Sequence, residues 1–231
     1  MQEESYEKLI PILSTERLDA YRKMDQADEI TTLARYLLNM AICESLYSPL
    51  QLFEVGLRNA IHNRLKCVYS DNWYENINFP LTNWGSEEIG KAKERIRKQK
   101  KFETPGLLVS ELQFGFWTHL FEDHYESSTS FLPKSIKFLF PGLPKSEHNR
   151  KKLKRCFEEI RFLRNKVFHH ERIIYWQDLS KKHQQILNVL NWINPELHEM
   201  AVELDRFADV YENGIAPWKE KIRTHWPKKN P

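Results

Sequence analysis

The sequence predicts an all-α fold. Three observations carry this: apolar residues recur at three- and four-residue spacing along most of the chain, only 7 glycines occur in 231 residues, and prolines fall mostly at segment borders. Hydrophobic residues make up 41% and charged residues 29%, the balance of a packed globule rather than a disordered chain.

The elements follow in order. Ser14 is placed to cap a short helix running to about Met24, with Leu18 and Tyr21 inward. A second helix is expected over about Glu29–Leu46. Ser48-Pro49 then reads as an N-cap with proline at the first helical position, opening a third helix to about Tyr69. Leu50, Phe53, Leu57, Ile61, Leu65 and Val68 form its inward stripe. Residues 71–85 lack a period and read as a loop. A basic helix over about Ser86–Lys101 has Ile89, Ala92 and Ile96 on its apolar side, and Thr104-Pro105-Gly106 breaks it. Leu107–Tyr125, including Trp117, is apolar enough for a largely buried helix. Between Ser127 and Lys145, Pro133, Pro141 and Pro144 leave room for one short helix near Ser135–Phe140. Helical spacing resumes at Ser146 for about 25 residues. Leu179–Trp192 and a helix from Asn194-Pro195 to about Tyr211 complete the fold. One domain is expected over residues 1–215, with an elaborated middle region and a basic tail at 216–231.

Three widely spaced cysteines, Cys43, Cys67 and Cys156, form neither a disulfide framework nor a zinc pattern and suggest a reducing, cytoplasmic setting. No signal peptide and no membrane-spanning run is read in the sequence. The net charge is only +3, yet residues 91–101 carry seven Lys/Arg against one Glu, and residues 145–172 ten against four. If these runs share a face, they would attract a polyanion such as RNA. The candidate contacts are Lys91, Lys93, Arg95, Arg97, Lys98, Lys151, Lys152, Lys154 and Arg155.

The chemistry is concentrated in Arg164-Asn165-Lys166-Val167-Phe168-His169-His170-Glu171. Arginine binds phosphate through a rigid fork, and histidine moves protons near neutral pH. Acid–base attack on a phosphodiester needs both. On a regular helix Leu153, Phe157, Ile160, Leu163 and Val167 share one apolar face, and Arg164 and Glu171 fall within about 20° of Leu153 on it. Such charges need a protein partner or a polar cleft. Arg164 and His169 lie about 140° apart on that wheel, so they converge only by long side chains, a bend, or two copies meeting. Asn165 is one turn before His169 and could orient its ring. A second set, Glu54, Arg58 and His62, stacks along one helix side. There Glu54 can pair with Arg58, or Arg58 with Glu171 and Glu54 with Arg164. No His-Glu-x-x-His spacing, nucleotide-binding glycine loop or nucleophile elbow is present, and Cys156 falls on the apolar face.

The Arg164-Asn165-Lys166-Val167-Phe168-His169 run resembles the Arg-x-x-x-x-His signature of the HEPN superfamily. Its extension through His170-Glu171-Arg172-Ile173 looks like the Abi-like abortive-infection branch. So do Leu13-Ser14-Thr15-Glu16-Arg17-Leu18 and the stretch from Pro49 to Leu65 with its Phe53-Glu54-Val55-Gly56-Leu57-Arg58-Asn59 core. The stretch Lys166-Val167-Phe168 departs from relatives, which often carry smaller residues before His169. The resemblance implies a HEPN-like helical bundle, a homodimer, and a metal-independent endoribonuclease without cofactors that acts in phage defence or as a toxin. Arg164 would hold the scissile phosphate, His169 would act as general base or acid, and Asn165 would orient His169 or the substrate. His170 and Glu171 would support them. The RNA 2′-OH would attack its own phosphate to leave a 2′,3′-cyclic phosphate and a 5′-OH, with tRNA a candidate target. An antitoxin protein or a regulatory RNA would keep such an enzyme silent. The alternative is a non-catalytic RNA- or protein-binding regulator of the same fold.

Overall fold

The computed structural model describes residues 6–22, 25–126 and 131–225. Among them every regular element is helical, and the fold is all-α. The chain groups into two compact units, each discontinuous in sequence. The first holds residues up to Ser48, Arg164–His183 and residues from Leu204; the second holds Pro49–Leu163 and Gln184–Glu203.

The largest element is a single helix, Glu29–Val68, where the sequence suggested two. Pro49 lies inside it and cannot donate to the carbonyl four residues back, a loss of about 3 kcal/mol in an ordinary helix interior. The apolar stripe explains why the helix continues. Leu38, Ile42, Leu46, Leu50, Phe53, Leu57, Ile61 and Leu65 are all buried at unbroken helical spacing, so a break at Ser48 would put half of them out of phase. Val68, expected on that stripe, is instead exposed at the helix end.

In the first unit Ser14 accepts the Arg17 amide at 3.2 Å and opens the helix Thr15–Arg22, with Leu18 and Tyr21 buried as expected. The expected end at Met24 lies outside the described residues. Leu18 joins Tyr6, Leu33, Ala34 and Ile222 in one core cluster. Ile222 belongs to the helix Ala216–His225, so most of the stretch read as a basic tail is a packed helix. Residues 226–231 lie outside the described part. The helix expected to run to Tyr211 is two, Pro195–Glu203 and Phe207–Asn213. Asp205 sits in the break, where it accepts the Phe207 amide at 2.9 Å and lies 2.9 Å from His183 Nε2.

The second unit is built on aromatic packing. Phe53 meets Phe114 and Phe157, and Phe157 meets Phe121 and Phe140, with ring centroids 4.8–5.7 Å apart. The basic helix runs Asn83–Lys98, started by Thr82, which accepts the Gly85 amide. The segment expected as one helix to Tyr125 is two short ones, Pro105–Glu111 and Phe114–His119, with Leu112 and Gln113 extended between them. The short middle helix is Phe131–Leu139. Pro133 falls in its first turn, where its missing N–H would have had no helical partner. Residues 127–130 before it lie outside the described part. The stretch from Pro141 to Pro144 is packed. Phe140 and Leu143 are buried, and a Cβ on Gly142 would come within 2.6 Å of the Asn191 carbonyl oxygen.

Candidate functional site

The motif helix spans Arg150–Phe168, with Leu153, Cys156, Phe157, Ile160, Leu163 and Val167 buried as its spacing requires. It stops at Phe168 rather than continuing past Glu171. The His170 amide donates to the Val167 carbonyl at 3.1 Å, and the Glu171 amide to the Lys166 carbonyl at 2.9 Å. These two bonds form a Schellman motif, with His170 at the left-handed position (φ 57°) that glycine usually fills. Glu171 lies beyond this helix end, so the helical phase that put it near Leu153 does not apply. Glu171 is exposed and pairs with Lys166 at 2.5 Å, so it does not lie on the apolar face.

Two side chains far away in sequence hold this terminus. Arg17 donates from Nη2 to the His170 carbonyl at 2.7 Å, placing a cation at the negative end of the helix. Asn39, buried in the first unit, donates to the Glu171 carbonyl at 3.1 Å and accepts the amides of Ile173 and Ile174 at 2.8 and 3.2 Å. Asn39 is absent from the sequence-derived set. Its signal was a polar residue three before Ile42 and seven before Leu46, in the buried phase of a long apolar stripe.

Arg164 is half-buried. Its guanidinium carbon lies 4.4 Å from the Phe168 ring centroid, and Nη1 donates to Asn165 Oδ1 at 3.3 Å; it has a further interaction beyond these. Stacking engages the face of the guanidinium and leaves its in-plane N–H groups to polar partners. Asn165 thus turns its side chain to Arg164, while its backbone carbonyl takes the His169 amide at 2.9 Å. His169 and His170 are both exposed.

A cavity of about 440 Å³ opens beside this terminus in the first unit. Tyr36, Met40, Cys43 and Tyr47 line one side, Phe168 and His170 another, with Arg17 and Arg206 also at its walls. Phe168 stacks on Tyr47 with centroids 5.1 Å apart, and Arg206 pairs with Glu44 at 2.9 Å. It is His170, not His169, that borders the cavity. Burial pushes the Cys43 thiol up to about 11, so it stays protonated at neutral pH.

The other sequence candidates belong to the second unit. Arg58 donates to Asn59 Oδ1 at 3.3 Å, and Glu54 is half-buried. The basic residues are largely ion-paired: Lys91 with Glu88, Lys93 with Glu75 and Glu103, Arg95 with Glu111, and Arg97 and Lys98 with Glu94. Lys152 pairs with Glu147, Lys154 with Glu122 and Glu158, and Arg155 with Glu159. Lys151 is exposed. Local carboxylates therefore account for much of the basic runs without a polyanion. Among the described residues no group of three or more His, Cys, Asp or Glu is placed to hold a metal ion, and no helix is long and apolar enough to cross a membrane.

Comparison with known protein families, curated proteins and solved structures finds no significant match.

Proposed function

We propose that the protein is a HEPN-type endoribonuclease of the Abi-like kind, cleaving RNA by 2′-OH attack without a metal and acting in phage defence or as a toxin. The observation that carries it is Arg164, whose guanidinium is stacked on Phe168 at a helix end that also bears two exposed histidines. In this reading Arg164 holds the scissile phosphate and stabilises the charge that builds on its oxygens. His169 takes the 2′-OH proton or delivers one to the leaving 5′-oxygen. Asn165 acts on Arg164, fixing the fork. A homodimer pairing two motif copies belongs to the proposal, because it would let Arg164 of one copy meet His169 of the other.

Purified protein incubated with total RNA and tRNA in excess EDTA should give fragments with 5′-OH ends. His169→Ala should slow this by about 10²–10⁴-fold, the scale of a positioned acid–base group. Activity that vanishes in EDTA and returns with added metal contradicts the mechanism. Salt-sensitive RNA binding without cleavage would instead favour a non-catalytic regulator.

A further inference from the structure

We infer that the cavity beside Phe168 is a nucleobase subsite, which receives a base adjoining the phosphate held by Arg164. This rests on the reading of Arg164 as the phosphate holder. Phe168 is the link: Arg164 stacks on this ring at 4.4 Å, the ring lines the cavity, and it stacks on Tyr47 at 5.1 Å. A phosphate at Arg164 therefore lies about one aromatic ring from the cavity.

The lining chemistry selects the occupant. The walls are aromatic and sulfur-bearing, from Tyr36, Tyr47, Phe168, Met40 and Cys43, and suit a flat ring. Arg206 pairs with Glu44, which leaves Arg17 as the excess cation at the walls, so the surroundings favour a ring attached to an anion. The volume of about 440 Å³ is ample for one base with its ribose. Met40 and Tyr47 remain 53% and 49% exposed, so the mouth is open to solvent. An aromatic ring carrying a phosphate is the chemistry of a nucleotide. The bulky residue before His169, which resembled a departure in the sequence, becomes a wall of this subsite.

The test uses 2′-O-methyl adenylyl-adenosine, which lacks the attacking hydroxyl, and two analogues each missing one base, titrated into the full-length protein by NMR. Removing one of the two bases should weaken binding by about 5- to 100-fold, the scale of one stacked base, and the intact dinucleotide should shift the Tyr47 ring protons. Met40→Trp, which adds a ring at the exposed mouth, should abolish the preference for a base without changing affinity for the base-lacking analogue. Equal binding of all three compounds, binding of none, or a base preference untouched by Met40→Trp overturns the subsite. Cleavage of RNA with base-independent binding removes the subsite and leaves the nuclease; base-dependent binding without cleavage does the reverse.

Discussion

The side-chain oxygen of Asn39 accepts the backbone amide of Ile173 at 2.8 Å, tying the chain that follows the motif to the middle of the Glu29–Val68 helix. The same oxygen takes the Ile174 amide, and the side-chain nitrogen serves the Glu171 carbonyl. One buried amide thus satisfies three backbone groups as the chain leaves the helix end.

Asn39→Ala should lower stability by about 2–4 kcal/mol, because buried backbone groups lose partners at roughly 1–3 kcal/mol each before relaxation. Asn39→Asp should not restore it, since a carboxylate cannot donate to the Glu171 carbonyl. Urea unfolding of the two variants checks this; a loss below about 0.5 kcal/mol for Asn39→Ala, within the usual surface range, would count against the bracket.

His170 occupies a left-handed backbone position where glycine carries no Cβ penalty. His170→Gly should therefore stabilise the fold by about 1 kcal/mol. Thermal melting reads this directly. A lower melting temperature would mean that the His170 side chain contributes more than its strain costs.

Stability should fall on acidification. Burial holds His62, His119 and His183 below their ordinary value of 6.5, against a smaller opposing pull from nearby carboxylates. Folding therefore favours the neutral rings over their protonated forms, so the stabilising contribution is present above the ordinary value of 6.5 and is lost as pH falls through the lower folded-state value. His62 supports this geometrically, since its Nδ1 accepts the Trp73 indole N–H at 3.0 Å and cannot do so protonated. Melting temperatures at pH 7.5 and pH 5.0 should differ, with the acidic value lower; equal values would contradict neutral burial.

Thiol labelling should separate the cysteines. Cys67 is exposed, whereas burial pushes Cys43 and Cys156 up to about 11. Mass spectrometry at neutral pH should show one fast alkylation, at Cys67, and two slow ones. Rapid modification of Cys156 would mean that the apolar face of the motif helix opens readily.

Much of the fold was legible because helical burial leaves a periodic trace. The phases of Leu50–Leu65 and Leu153–Val167, and the Ser14 cap, all appear as read. Proline was the main source of error. Pro49 carries the local signature of a helix start, yet the buried phase on both sides outweighs its one lost bond. The motif's C-terminus was illegible for the converse reason: a Schellman turn normally shows a glycine, and here a histidine fills that position. The carboxylate partners of the basic runs were not legible, because some, such as Glu75 for Lys93 and Glu122 for Lys154, come from other segments of the sequence.

The most direct test of the central claim is to map a cleavage site in RNA and then replace the ribose 5′ to that site by deoxyribose. In EDTA, wild-type protein should cut the ribose substrate to a 2′,3′-cyclic phosphate and a 5′-OH, and should leave the single-deoxy substrate intact at that bond, because the attacking hydroxyl is gone. Cleavage of the deoxy substrate at the same bond and a comparable rate would contradict 2′-OH attack at the Arg164–His169 site.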